Sequence, residues 1–173
     1  HSHLIGLDCF YRAGGLVNVS AMLDTDLMLH NGAAKSSKME KMSGIADAIF
    51  ERYCITDKDL LIVVSTSGKN AVPVEMAEVA SQNGINNIAV VSSAYFADKK
   101  EAPMLYETAS MYIDNCVPHG DAVIGISGAE TKMGSVSTAA SSFILQTILM
   151  EGADIAGKNG ASLPIYMSGN IDG

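Results

Sequence analysis

A run of five apolar residues, Leu60–Val64, passes directly into the polar stretch Ser65-Thr66-Ser67-Gly68-Lys69-Asn70. Because the run does not alternate with polar residues, it predicts a strand covered on both faces, as strands of parallel sheets are. Asn70 is a favoured residue for a helix N-cap, and a proline and a glutamate follow in the next turn. The pattern therefore predicts a strand, a polar loop and a helix to about Gln82, where Asn83-Gly84 provides the stop.

Strand-like and helix-like segments alternate along the rest of the chain. Apolar residues at three- and four-residue steps predict a helix over Ser36–Tyr53. A last helix is expected over Ser135–Met150, ended by Gly152 and apolar nearly all round over Phe143–Met150. Ser93–Met104 is expected to be a loop. Short apolar runs predict further strands at Leu16–Val19, Ile88–Val91 and Met111–Ile113. This alternation indicates an α/β fold with a doubly wound parallel sheet, in which ligands bind beyond the carboxyl ends of the strands.

Composition restricts the class of protein. With 173 residues and 48% hydrophobic residues, the chain suits one domain with a full core. No apolar run approaches the roughly 20 residues of a membrane helix, and no signal peptide is visible, so we expect a cytoplasmic protein without a membrane partner. The three cysteines lie far apart, which predicts free thiols. No clustered metal ligands are visible, and we expect neither a metal nor a cofactor.

The net charge of −8 argues against nucleic acid as a partner, because such partners need a positive surface. The same charge repels a phosphate, so a phosphate site in this chain must attract its ligand locally. The hydroxyls of Ser65–Ser67, the close backbone approach at Gly68 and a helix N-terminus can provide that attraction. An ordinary strand–helix turn with a polar cap remains the alternative for this stretch.

The segment Leu60–Ala77 (LLIVVSTSGKNAVPVEMA) closely resembles the signature of the sugar isomerase, or SIS, domain. The resemblance implies a flavodoxin-like three-layer sandwich that binds a phosphorylated sugar. It makes Ser65, Thr66 and Ser67 the phosphate ligands, with Gly68, Lys69 and Asn70 completing the turn. Further stretches resemble a phosphoheptose-isomerase-like branch of the family: His1-Ser2-His3, Phe10–Gly15, Leu29–Lys35, Ile113–Asn115 and Asn170–Gly173.

The resemblance also implies that residues 1–173 form a single SIS domain lacking its first helix and first strand. His1 and Ser2 would then face the Ser65 loop and contact the sugar or phosphate; the alternative is that they are a tag remnant or a disordered end. Ser135, Ser137 and Thr138 are expected to contribute hydroxyls to the ligand, with simple N-capping as the alternative.

Aldose–ketose isomerisation needs a base that moves a proton between adjacent carbons. Candidates are Glu40, Glu75, Glu130, His30 and His119. The alternatives are a solvated helix face for Glu40, a helix-dipole partner for Glu75 and a structural histidine for His30. His119 is most simply a turn residue.

The expected function is a metal-independent phosphosugar isomerase. The alternatives are a non-catalytic SIS module that senses a sugar phosphate, and a nucleotide-binding flavodoxin-like protein. The apolar last helix predicts a homodimer or homotetramer.

Overall fold

The computed structural model describes residues 1–170; residues 171–173, the end of the Asn170–Gly173 stretch, lie outside the described residues. The chain divides into two compact units. One unit is formed by residues 1–23 together with the residues from Thr138 onward, and the other by Asp24–Ser137. The predicted phosphate loop lies in the second unit.

A three-stranded parallel sheet forms the centre of the Asp24–Ser137 unit. Its strands are β1 (Leu60–Val64), β2 (Asn86–Val91) and β3 (Met111–Asp114), in the order β1-β2-β3. Val64 pairs with Val90, and Val91 pairs with Asp114. The predicted α/β fold with a parallel sheet is confirmed, and β1 has the predicted bounds.

Helix α4 (Ala71–Gln82) follows β1 and packs against β1 and β2. Its bounds agree with the prediction, because Asn70 precedes its first turn and Gly84 follows its end with a φ of +70°. A short helix, α5 (Leu105–Thr108), packs beside it. The core of this unit includes a cluster of buried residues formed by Val74, Ala77, Ala89, Val91 and Leu105. Burying such side chains contributes about 1.5–3 kcal/mol each for the larger ones, and it fixes the loop between β1 and α4.

The predicted helix over Ser36–Tyr53 is wrong in one respect, because two short helices occupy this stretch. Helix α2 covers Ala33–Met39 and α3 covers Ala46–Arg52. Gly44 lies between them with a φ of +87°, which a helix cannot accommodate. Its N–H donates to Glu75 Oε2 at 2.8 Å, so a contact from α4 stabilises the break.

The last helix, α6, covers Ser137–Lys158 and continues through Gly152, so the predicted end at Met150 is wrong. The helix ends before Gly160, whose φ is +84°. A two-stranded antiparallel sheet of β4 (Ala122–Ile124) and β5 (Met133–Ser135) precedes it and was not predicted. Ser135 is therefore a strand residue.

Three further segments differ from the prediction. The predicted strand Leu16–Val19 is wrong, because Leu16 makes one isolated antiparallel bridge with Ile165 and no strand. Helix α1 (Ser2–Cys9) was not predicted; in its unit Gln146 Nε2 donates to the carbonyl of Asp8 at 3.0 Å. A 3₁₀ helix (Ser93–Asp98) opens the predicted loop. Among residues 1–170, no helix is both long and apolar enough to cross a membrane.

Candidate functional site

The six residues Ser65–Asn70 connect the carboxyl end of β1 to the start of α4. The sheet ladder continues into this loop, because the Ser65 N–H donates to Val90 O at 3.0 Å. The carbonyl of Thr66 then accepts from the Ser92 N–H at 2.9 Å. The loop backbone is thereby attached to the end of β2, and its hydroxyl residues are half-buried.

Gly68 is buried and has a φ of +60°, a conformation that glycine adopts without strain. Its carbonyl accepts from the Leu105 N–H at 2.9 Å, and its own N–H donates to Ser65 Oγ at 3.3 Å. A Cβ at this position would lie 3.3 Å from Val91 Cγ1 and 3.4 Å from Leu105 Cβ. Sterically, the turn therefore needs a glycine.

Several donors in this loop have no partner within the part of the chain that the structure describes. They are the Ser67 hydroxyl and the amides of Thr66, Ser67, Lys69 and Asn70. The Asn70 side chain makes no capping hydrogen bond, although Asn70 occupies the N-cap position of α4. Amides at a helix N-terminus point outward along a dipole that favours negative charge. The loop therefore offers hydroxyl and amide donors to an anion.

Lys69 joins the loop to a cluster of polar and aromatic side chains, which we call the Asp98 cluster: Lys69, Tyr95, Asp98 and His119. Asp98 Oδ2 accepts from Lys69 Nζ at 2.6 Å and lies 3.0 Å from His119 Nε2. The Lys69 hydrogen bond, and then the His119 hydrogen bond, hold the pKa of Asp98 below its ordinary value. Asp98 is therefore an ionised acceptor at neutral pH.

Two pockets lie beside the loop and this cluster. One has a volume of about 460 Å³, and its walls include Lys69, Asp98, Lys99 and Lys100. The other, of about 320 Å³, lies at the carboxyl ends of β2 and β3. Residues after β2 (92–94) and residues 114 and 116–118, at and after the end of β3, line it. Both are at the edge of the sheet where parallel α/β folds bind ligands.

Comparisons with known proteins identify the family of the chain. A family model described as a SIS domain matches residues 1–92. The chain belongs to the SIS domain family. Among similar relatives, a UPF0309 protein of Brucella anthropi is 43% identical, with all of this chain aligned to 72% of the relative. UPF0309 proteins of Geobacillus thermodenitrificans and Caldanaerobacter subterraneus are 37% and 38% identical, with 71% and 73% of each relative aligned to the whole chain.

In this SIS domain, Ser137 takes part in a helix cap. Its hydroxyl donates to Asp121 Oδ2 at 2.6 Å, and Asp121 Oδ1 accepts from the amides of Val136 and Ser137 at 2.9 and 2.8 Å. Burial raises the pKa of Asp121, but the Ser137 and Val136 hydrogen bonds together hold it below its ordinary value. Ser135 is exposed on β5, and Thr138 belongs to the other compact unit. A ligand role for these three hydroxyl residues stays a prediction.

Three of the candidate bases, Glu40, Glu75 and His30, make their contacts away from the Ser65–Asn70 loop. Glu75 Oε2 accepts from Gly44 N–H at 2.8 Å and so stabilises the α2–α3 break. Glu40 is half-buried, and its backbone carbonyl accepts from Val72 N–H at 3.1 Å. His30 is exposed in a 3₁₀ helix, Leu29–Asn31. Among the described residues, no side-chain hydrogen bond joins any of the three to the loop.

Ser2 is the first residue of α1 and His1 lies at its N-cap, in the unit that does not contain the phosphate loop. Their predicted contact with the ligand stays a prediction. The sequence did not indicate Tyr95 or Asp98, and it offered His119 as a candidate base that is most simply a turn residue. The available signal was position, because Tyr95 follows β2 and His119 follows β3. Within residues 1–170, no three His, Cys, Asp or Glu residues are grouped to hold a metal ion.

Proposed function

We propose that this SIS domain binds a phosphorylated sugar and holds its phosphate in the Ser65–Asn70 loop. The observation that carries the proposal is the set of hydroxyl and amide donors in the loop leading into α4 that have no partner among residues 1–170. A phosphate presents several acceptor oxygens and a negative charge, which suit these donors and the dipole of a helix of 12 residues. Family membership independently supports a sugar-phosphate-related function.

Charge explains why the recognition has to be local. The chain carries a net charge of −8, so its overall field opposes the approach of a phosphate dianion. Hydrogen bonds to a charged group contribute about 1.5–3 kcal/mol each, so a few of them outweigh a screened repulsion. The Thr66 hydroxyl accepts from Asn115 Nδ2 at 3.5 Å, which leaves its hydrogen available as a further donor.

We further propose that the chain acts on the bound sugar as a metal-independent aldose–ketose isomerase. A module that only senses the sugar phosphate is the alternative, and conversion of ketose to aldose separates the two. A homodimer or homotetramer fits the exposed Phe143, Met150 and Ile155 on α6, which a subunit interface would cover. We place this function in the cytoplasm, without nucleic acid or a membrane as partner.

The test of binding is calorimetric titration with fructose 6-phosphate, ribulose 5-phosphate and sedoheptulose 7-phosphate. Ser67→Asp sets a carboxylate against the phosphate and is expected to weaken binding at least tenfold, since like charges in contact cost on the order of 1–4 kcal/mol. Ser162→Asp adds the same charge at an exposed position and serves as the control. Binding that survives Ser67→Asp would show that the phosphate lies elsewhere. Binding of nucleotides in place of sugar phosphates would favour the flavodoxin-like alternative.

A further inference from the structure

His119 and the phosphate loop are connected through one carboxylate oxygen. Asp98 Oδ2 contacts both Lys69 Nζ, which belongs to the loop, and His119 Nε2. We propose that His119 is the general base of the isomerase reaction and that Asp98 positions its ring. This inference rests on the proposed function, and it replaces Glu40, Glu75 and His30 as the source of the base.

The hydrogen bond to Asp98 determines which nitrogen of His119 can act. An ionised carboxylate only accepts hydrogen bonds, so a neutral His119 donates its Nε2–H to Asp98 and carries its lone pair on Nδ1. Among residues 1–170, no hydrogen bond occupies Nδ1. The His119 side chain is 59% exposed, so a substrate can reach it. A base whose other nitrogen is oriented by a carboxylate is the arrangement that general-base catalysis uses.

Tyr95 fixes the ring from a second direction. The Tyr95 and His119 rings stack with centroids 4.5 Å apart and planes inclined by 30°. The Tyr95 hydroxyl accepts from the Gly120 N–H at 2.8 Å, which holds the chain next to His119. Lys69 Nζ lies 5.2 Å from the centre of the Tyr95 ring. Lys69, Tyr95 and Asp98 are thus the titratable side chains around His119 in the described structure.

The position of His119 suits a sugar anchored at the loop. His119 directly follows Pro118, which lines the pocket at the ends of β2 and β3. Its partner Asp98 lines the other pocket together with Lys69 of the phosphate loop. His119 follows β3 at the edge of the sheet where the Ser65–Asn70 loop follows β1, and our proposal places the sugar along this edge.

The proposed reaction needs no co-reactant. With an open-chain 2-ketose phosphate, Nδ1 of His119 takes a hydrogen from C1 as a proton, and the C1–H electron pair forms the C1–C2 double bond. The carbonyl π pair moves onto the C2 oxygen, which takes a proton from water and gives the enediol. Return of a proton from the imidazolium to C2, with loss of the O1 proton to water, gives the aldose. C1 is oxidised and C2 is reduced within one molecule.

Exchange of carbon-bound hydrogen in D₂O tests this step directly. Each of the three ketose phosphates used for titration is incubated with the protein, and deuterium at C1 is followed by NMR. The wild-type protein is expected to exchange at least one of them. His119→Ala should reduce the exchange rate at least a hundredfold, because a general base contributes about 10²–10⁴-fold. Its affinity for the sugar phosphate should stay within twofold, and added imidazole should restore part of the exchange.

Asp98→Asn tests the positioning role. The exchange rate at saturating sugar phosphate is expected to fall about tenfold, because a neutral amide no longer selects the His119 tautomer with its lone pair on Nδ1. Affinity for the sugar phosphate should stay constant or rise, since Lys69 loses its carboxylate partner. Asp154→Asn makes the same chemical change in the exposed Asp154–Lys158 pair and should leave the rate unchanged.

Three results would overturn the assignment. They are wild-type exchange rates in His119→Ala, a loss of exchange that imidazole does not restore, and sugar phosphates that bind to the wild-type protein without any exchange. Binding without exchange would contradict the assignment of His119 as a base and would leave the proposed binding of a sugar phosphate intact. Absence of binding to all three sugars contradicts the proposed function as well, so the two failures are distinguishable.

Discussion

Gly68→Ala adds one methyl group at the most constrained position of the phosphate loop. Gly68 has a φ of +60°, and the new Cβ would lie 3.3 Å from Val91 Cγ1 and 3.4 Å from Leu105 Cβ. Val91 is 1% exposed and Leu105 0% exposed, so neither side chain can move into solvent. The substitution therefore combines backbone strain with overpacking.

The two costs can be estimated separately. A non-glycine residue in the left-handed region costs about 1–2 kcal/mol, and an extra methyl in a packed core costs about 1–3 kcal/mol. Because the contacts are only a few tenths of an ångström too short, we take the lower half of the packing range. The free energy of unfolding is then expected to fall by about 2–4 kcal/mol, which lowers Tm by roughly 5–15 °C in a protein of this size.

Urea unfolding followed by circular dichroism measures this loss. Gly84→Ala is the matched control, since Gly84 has a similar φ of +70° and no atom within 4 Å of its added Cβ. It should cost about 1–2 kcal/mol, from strain alone. The difference between the two variants isolates the packing at Gly68. Equal losses would refute the packing argument, and a loss below about 1 kcal/mol in both would refute the strain argument as well.

Three other substitutions give distinct expectations for the free energy of unfolding. Asp121→Ala removes the cap at Val136 and Ser137 and should cost about 1–2 kcal/mol at pH 7. Because the pKa of Asp121 lies below its ordinary 3.8, that difference should persist above pH 4 and shrink as the pH falls further. Asn87→Ala should cost about 2 kcal/mol, since fully buried Asn87 donates to Ser81 Oγ and accepts from the Ser110 N–H. Asn70→Ala should cost less than about 0.5 kcal/mol, because its side chain makes no cap bond.

The strand, loop and helix from Leu60 to Gln82 were predictable because local sequence decides them. The apolar run Leu60–Val64 favours a strand covered on both faces. Gly68 and Gly84 adopt the positive φ that the turns on either side of α4 require. The break between α2 and α3 was not predictable in the same way. The apolar periodicity continues across Gly44, and a contact from Glu75, 31 residues away, stabilises the turn.

The Asp98 cluster could not be predicted from the sequence for a related reason. Asp98 lies 29 residues from Lys69 and 21 residues from His119, and its position falls inside a stretch that reads as a polar loop. The parallel sheet brings the three together, because β1 and β2 end at the same edge and their connections follow that edge. Such contacts depend on the register of the strands and on the direction of the loops, and the apolar pattern of the sequence gives no information on either.

The pairing of Lys69 with Asp98 determines how salt should affect binding. A site built on unpaired lysines loses affinity as salt rises, because screening weakens its attraction for a phosphate. In the Ser65–Asn70 loop, Lys69 Nζ lies 2.6 Å from Asp98 Oδ2, so the Asp98 carboxylate already neutralises the Lys69 charge. Hydroxyls and amides of the loop therefore provide the recognition of the phosphate. The remaining long-range field is that of a chain with a net charge of −8, and it repels the ligand.

Titration of a sugar phosphate between about 0.02 and 0.3 M NaCl should therefore show an affinity that stays constant or rises with salt. The Debye length shrinks to below about 10 Å over this range, which screens the repulsion. A steep fall in affinity would mean that unpaired cations, and not the amides of this loop, hold the phosphate.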